Sequence, residues 1–299
     1  MTEPTSPDLR SFNAFFDHIY VLTLDRAIQR QTEIARVLKG FDWHFFRGVD
    51  KFDLDVDALI RDGLYDDKRH RHTKRTSRPM SLGEIACAMS HRAIYQDAID
   101  NGYRRILIFE DDVAPDIANL AAFSETVGQL PDDWELLMLG YYSEKYPTAK
   151  TRFQEQVYLT YHKLGLFNWH KVNRRFLERL LMRPYSSELY EIGKLVGGHA
   201  YAMTQSACRK FVDFQTPIFL QADRVFNYYQ AVADLKAFAV KRKMFHPSDM
   251  AEQSLIGYPN SFVKAQKLLA GLFLPWGRSE PGEVNLVSSS GESFPNESQ

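Results

Sequence analysis

The stretch that most constrains this chain is Arg104-Arg105-Ile106-Leu107-Ile108-Phe109-Glu110-Asp111-Asp112. Four apolar residues run together and stop at three carboxylates. A short continuous apolar run that follows a helical pattern reads as a strand buried on both faces of a parallel sheet. In open α/β sheets, ligands bind beyond the carboxyl ends of the strands, and the acids sit at that end. Adjacent like charges raise one another's pKa unless a cation offsets them. The acids therefore read as a divalent metal site built from hard oxygen ligands, or else as a solvated turn helped by Pro115. Alternation along an extended chain predicts that Glu110 and Asp112 share a side.

The segments before this strand have the matching periodicity. His18 to Leu24 reads as a first strand. Asp25 is expected to cap a helix running to about Lys39, with Ile28, Ile34, Ala35 and Leu38 on its apolar side and Gly40 ending it. Asp42 to Val49 reads as a second strand, completing a βαβ unit. Residues 50–80 are polar and read as irregular, with the basic run Lys68 to Arg75 as a mobile solvated loop, or as one that closes over phosphates or an anionic acceptor. Ser81-Leu82-Gly83-Glu84 is a capping box. It opens a helix with Leu82, Ile85, Ala86, Met89 and Ala93 on one face, and Ser90 and His91 inside it. Asn101-Gly102 stops this helix just before the acidic strand.

Beyond the acids, Trp134 to Gly140 reads as another buried strand, with Tyr141 and Tyr142 at its exit, where they serve as packing or stack on a ligand's ring. Residues 143–190 carry many aromatic and basic side chains and read as an insertion on the acceptor side. Gly197 to Met203 reads as a strand leaving a tight turn. Thr204 or Gln205 then opens a helix to Phe214, which Pro217 breaks. Asp223 falls at or near the start of a further helix, where a carboxylate serves either as a cap or as a chemical group. Phe262 to Trp276 reads as a docked C-terminal helix or as an amphipathic helix lying on a membrane surface.

Composition excludes several classes. A net charge of −1 gives no field to recruit nucleic acid or a membrane. Cys87 and Cys208 lie in apolar surroundings, which suits buried thiols in a reducing compartment. The first residues lack the apolar core of a secretory signal, and no stretch suits a bilayer span. The expectation is a cytoplasmic protein, peripheral to the inner membrane if the C-terminal stretch is interfacial. Residues 1–14 are expected to form a flexible tail, 15–276 one large α/β domain, and 277–299 a disordered tail.

Taken together, the motifs resemble glycosyltransferase family 25, which includes bacterial lipooligosaccharide sugar transferases and the transferase domains of collagen galactosyltransferases. The resemblance rests on Val21-Leu22-Thr23-Leu24-Asp25-Arg26 with Arg30, Arg47-Gly48-Val49-Asp50, Leu82 to His91, Ile106 to Val113, Trp134 to Gly140 and Gly198-His199-Ala200-Tyr201. It spans roughly residues 17 to 225, with weak cover in 143–190. Thr23 stands where the family usually has Asn. Asp223 follows Gln221-Ala222, whereas the family often has Pro-x-Asp.

The resemblance implies a GT-A fold: a Rossmann-like, mostly parallel sheet flanked by helices, with one nucleotide-sugar site. It implies an inverting transfer of a hexose, galactose or glucose, from a UDP-sugar to a glycan, with lipooligosaccharide core as the expected acceptor in the bacterial branch. Mn²⁺ or Mg²⁺ is implied at Glu110 and Asp112, with His246 as a further ligand. Thr23, Asp25, Arg26, Arg30, Ser90, His91 and Asp111 are the implied nucleotide-sugar contacts. Asp223 is the implied base, and Lys74 and Arg75 are candidates for phosphate or acceptor contact. Two other readings compete. A non-catalytic nucleotide-sugar-binding protein would keep the fold without turnover. A glycoside hydrolase would draw its two carboxylates from separate segments.

Overall fold

The computed structural model describes residues 9–74, 76–142 and 145–248. Expectations for Arg75, for Phe262 to Trp276 and for the tail from 277 lie outside the described residues. The centre is an eight-stranded sheet in the order β2 (Trp43–Arg47), β1 (His18–Thr23), β3 (Arg105–Glu110), β8 (Ala200–Thr204), β5 (Leu136–Gly140), β9 (Ala237–Val240), β7 (Leu189–Glu191) and β6 (Arg183–Pro184). Parallel pairing joins β1 to both β2 and β3, and β5 to β9. The expected mostly parallel sheet is present with two corrections: near one edge β7 pairs antiparallel with both β9 and β6, and the other lies at the centre. β8 is reversed and pairs antiparallel with both β3 and β5. A separate two-stranded ribbon pairs β4 (Val113–Pro115) with β10 (Phe245–Pro247).

β3 is buried on both faces, as its apolar run requires. Ile106 and Ile108 enter one core layer with Tyr20, Tyr95, Tyr201, Phe211 and Phe226. Leu107 and Phe109 enter the other with Phe12, Val21, Ile34, Leu38 and Phe245. The first layer is roofed by α5 (Leu82–Asp100), α10 (Gln205–Phe214) and α11 (Val225–Val232). The second is covered by α1 (Arg10–Phe15), α2 (Ile28–Val37) and the short helices α6 (Ile117–Leu120) and α7 (Phe123–Val127). This two-faced covering follows from strands that are apolar on both sides.

Several local expectations change. Residues 10–14 are not loose tail: they belong to α1, whose Phe12 packs into the core. Helix α2 starts at Ile28 without a side-chain cap. Asp25 is largely exposed and pairs with Arg47, while Ile28 and Ala35 face solvent and Arg30, Ile34 and Leu38 turn inward. The segment read as irregular holds α3 (Val56–Arg61) and α4 (Asp67–Lys74). Residues 68–74 of the basic run are helical, and two of their side chains dock on one distant residue: His70 Nδ1 lies 2.9 Å from the Phe219 carbonyl, and Arg69 stacks on the Phe219 ring.

The capping box of α5 is formed in both directions, with Ser81 N donating to Glu84 Oε2 at 2.7 Å and Glu84 N donating to Ser81 Oγ. Leu82 of its expected apolar face is partly exposed, whereas Ser90, His91, Ile94, Tyr95 and Ala98 are buried, so this helix is enclosed on most sides. Residues 145–190 fold into α8 (Ala149–Lys163), a 3-10 turn (Leu166–Lys171) and α9 (Arg174–Glu178). They have a core of their own, in which Tyr158 stacks on Trp169 and Phe176 and Leu177 reach Ala231 of α11. No described helix is long and apolar enough to cross a membrane.

Candidate active site

The carboxyl ends of β1, β2 and β3 converge, and the start of the reversed β8 meets them there, its His199 carbonyl accepting the Glu110 amide at 3.0 Å. Thr23 ends β1 and is buried; its hydroxyl donates to Asp111 Oδ2 at 2.6 Å. Arg30 sits in the first turn of α2, and one of its nitrogens reaches both Asp111 Oδ1 at 2.7 Å and Asp112 Oδ2 at 2.9 Å. Burial disfavours the Arg30 charge, but Asp112 and Asp111 outweigh this and hold the guanidinium ionised. A buried arginine on an otherwise apolar face of α2 is thus explained by the acids it meets.

Glu110 faces the same cleft, with 37% of its side chain open. Desolvation, then the charges of Asp112, Asp223 and Asp111, push its carboxyl well up, with Arg30 opposing them; the water that still reaches the side chain moderates this push. Asp112 is also raised, by burial first and by Asp111, against the pull of Arg30. Asp223 lies two residues before α11 and pairs with Arg224 at 3.5 Å. The helix opens at Arg224 with no side-chain cap, so the alternative in which Asp223 serves as that cap is not realised.

Among the described residues, Glu110, Asp111, Asp112 and Asp223 thus act on one another's charge here, with Arg30 paired to two of them and Arg224 to a third. That surplus of negative charge, in hard oxygen donors, fits a divalent cation. Among the described residues, no three His, Cys, Asp or Glu side chains are grouped to hold a metal ion unaided. A cation here would use Glu110 and Asp112 and complete its shell with ligand oxygens and water, the usual habit of Mg²⁺. His246 is not brought into this set: it sits on the ribbon opposite Ala114, half-exposed, with Nε2 3.5 Å from Asp116.

The remaining expected contacts divide into rim and floor. Asp25 and Arg26 lie on the rim; Arg26 pairs with Asp50 and stacks over Phe52. Ser90 lies under the floor, where its hydroxyl donates to the Ala86 carbonyl and accepts the Val49 amide at 2.8 Å. A side chain on Gly48 would approach Ser90 Oγ and Leu22 to 2.8 Å, which explains the glycine. His91 is buried, with Nδ1 2.6 Å from the Tyr201 hydroxyl and Nε2 3.9 Å from Glu110 Oε1. Lys74 is buried on α4, 5.1 Å from the Tyr228 ring, so it is a docked helix residue and not part of a mobile loop.

The sequence left Tyr142 between packing and ring stacking and did not single out His199. Tyr142 is 43% exposed at the cleft. Its hydroxyl is raised by burial and then by Asp112 and Glu110. His199 packs 5.0 Å from the Tyr142 ring, with Nε2 3.2 Å from the Phe245 carbonyl. Two glycines admit this packing. At Gly140 a side chain would come within 2.5 Å of His199, and at Gly197, with φ +77°, within 1.9 Å of Tyr142. The Gly140-Tyr141-Tyr142 and Gly197-Gly198-His199 runs were the available signal. Gln221, two residues before Asp223, donates to Glu84 Oε1 at 3.2 Å, and Arg78 holds both Glu84 oxygens at 2.9 Å. The α5 capping box is thereby tied to the Asp223 turn.

Comparison with known proteins gives one family model, glycosyltransferase family 25 (LPS biosynthesis protein), matching residues 16–226. A glycosyltransferase 25 family member of Aedes aegypti is 30% identical over 136 residues, 41% of this chain and 21% of that protein. Procollagen galactosyltransferase 2 of Mus musculus is 24% identical over 250 residues, 80% of this chain and 36% of the relative. Inactive glycosyltransferase 25 family member 3 of Homo sapiens is 27% identical over 149 residues, 46% and 24% of the two chains. The matches thus span about a fifth to a third of the relatives' lengths. These relatives are animal proteins and lend no support to the bacterial branch expected from the sequence.

Proposed function

The chain belongs to glycosyltransferase family 25, and from that premise we propose that it transfers a hexose from a UDP-sugar to a glycan hydroxyl with inversion, on a GT-A type fold. The observation that carries the reading is the placing of Glu110 and Asp112 at the carboxyl end of β3, with Asp223, from a distant part of the chain, near enough to act on the Glu110 charge. Galactose and glucose are the proposed sugars, in line with the galactosyltransferase named among the relatives. The proposed acceptor is a glycan of the lipooligosaccharide core type, in line with the family description, and attachment to an inner membrane surface belongs to the same proposal.

In this reading Glu110 and Asp112 hold Mn²⁺ or Mg²⁺. When bound, such an ion neutralises charge developing on the departing diphosphate. Thr23 and Arg30 fix the directions of Asp111 and Asp112. Asp25, Arg26 and Arg30 bind the uridine and ribose, with Ser90 beneath them keeping the Gly48-Val49 turn in place. The exposed Tyr142 ring offers an apolar face beside the acids for a sugar or base. Transfer is one displacement: the acceptor oxygen bonds to the anomeric carbon, the bond from that carbon to the diphosphate breaks, and UDP leaves. Asp223 takes the acceptor proton as general base.

Release of UDP from UDP-galactose and UDP-glucose, with Mn²⁺ and a panel of glycan acceptors, tests the proposal. Asp112→Asn should lower turnover about a hundredfold or more while leaving the circular dichroism spectrum unchanged. Near-normal turnover in that variant would remove Asp112 from metal contact. A second reading, binding of the sugar nucleotide without turnover, draws on Arg30 already occupying Asp112 and on the inactive human relative. Binding with no turnover across the acceptors would favour it.

A further inference from the structure

A buried hydrogen-bonded line runs behind the strand ends. The Tyr95 and Tyr201 hydroxyls are 2.7 Å apart, and the Tyr201 hydroxyl is 2.6 Å from His91 Nδ1. All three side chains are almost fully enclosed. At the open end of the line His91 Nε2 is buried, has no hydrogen-bond partner, and faces Glu110 Oε1 at 3.9 Å.

Proton accounting decides how this line is oriented. The ring is almost fully enclosed, which disfavours an imidazolium, so it is neutral and carries one N–H. In one orientation Tyr95 donates to Tyr201, Tyr201 donates to Nδ1, and Nε2–H points towards a carboxylate. Both tyrosine protons then have acceptors, and the Nε2–H, 3.9 Å from Glu110 Oε1, faces a carboxylate that attracts it. In the other, Nδ1–H donates to Tyr201 and Tyr201 to Tyr95. The Tyr95 proton is then left buried without an acceptor, and an Nε2 lone pair confronts Glu110 oxygens. Each orientation leaves one donor without a hydrogen bond, but only the second also sets a lone pair against carboxylate oxygens, so the first orientation prevails.

The gap to Glu110 is too long for a direct hydrogen bond and suits an atom placed between. That atom must accept from Nε2–H and donate to a carboxylate. A hydroxyl does both, whereas a phosphate oxygen only accepts, and the surrounding carboxylates repel phosphate. We propose that Tyr201, backed by Tyr95, is a positioning residue that holds His91 as its Nε2–H tautomer, and that His91 and Glu110 together clasp one hydroxyl of the bound sugar nucleotide. The second half rests on the sugar-transfer reading above; the first does not.

The tautomer is read without ligand from the ¹⁵N resonances of the imidazole ring, assigned with His91→Phe. Wild type should show the Nε2–H form. Tyr95→Phe should keep it, because Tyr201 still donates, whereas Tyr201→Phe should admit the Nδ1–H form. An Nδ1–H ring in wild type, or a tautomer insensitive to Tyr201→Phe, overturns the positioning role. Calorimetry with UDP-galactose, UDP-glucose and analogues lacking one hydroxyl at a time tests the clasp. One analogue should bind wild type roughly tenfold more weakly, and that difference should fall to below about twofold in His91→Phe. Equal binding of all analogues overturns the clasp. If neither parent compound binds, the proposed donor class fails, and the tautomer result still decides the positioning role by itself.

Discussion

One guanidinium group, that of Arg30, offsets two carboxylates at the strand ends, and both ion pairs lie largely out of water. Breaking a buried pair leaves an uncompensated charge, which costs more than the intact pair contributes. Arg30→Met should therefore lower the unfolding free energy by about 3–5 kcal/mol at neutral pH, read from urea melts. A loss below about 1 kcal/mol would show that Asp111 and Asp112 find other partners at no cost. At this scale the sequence was legible where chemistry is written in residue types. The acids at 110–112 announced a charged cleft, and Arg30 followed from the family resemblance. Tyr142 and His199 were not legible as site residues, since an aromatic after a strand is usually packing. Their role depends on Gly140 and Gly197 admitting them, which only the folded backbone reveals.

Among the elements, α5 connects stability to the site. Its capping box shares Glu84 with Arg78 and Gln221, and Gln221 belongs to the turn that carries Asp223. Ser81→Ala removes one cap acceptor and should cost about 1 kcal/mol with turnover unchanged. Glu84→Ala also strips Arg78 and Gln221 of their partner; it should cost more and reduce turnover through the Asp223 turn. Thermal melts and the UDP-release assay on the two variants check this, and equal effects on both readouts would break the proposed link. The capping box was plain in the sequence because it is local. The helicity of Asp67–Lys74 was not, because a basic run carries no apolar period. What holds it is the docking of His70 and Arg69 on Phe219, almost 150 residues away. The reversal of β8 was equally hidden: strand direction leaves no mark on side-chain pattern when both faces are buried.

Across the whole molecule, the two-layer core and the acidic cleft set the response to pH. His91 and His199 are buried and brought to about 4 from an ordinary 6.5 by burial. Below pH 6.5 the unfolded chain gains protons that these folded rings refuse, so stability falls as pH drops and levels off near pH 4. Each ring contributes on the order of 3 kcal/mol to that loss, while the raised Glu110 and Asp112 carboxyls act in the opposite sense. The urea midpoint should fall less steeply between pH 6.5 and 4 in His199→Gln than in the unaltered protein; identical slopes in the two would contradict the burial of the His199 ring. Fold class and the main strands were readable along residues 17–225 because apolar runs and glycine stops alternate there; the fold of the insertion expected at 143–190 was not, since its described core closes on Ala231 and Tyr228 of a later helix. The central claim, a metal-assisted sugar-nucleotide site at Glu110 and Asp112, is tested most directly by calorimetric titration with UDP, with and without Mn²⁺. Binding that requires Mn²⁺ and is lost in Asp112→Asn is the predicted result; UDP binding that is indifferent to both the metal and Asp112, or no binding in either condition, would contradict it.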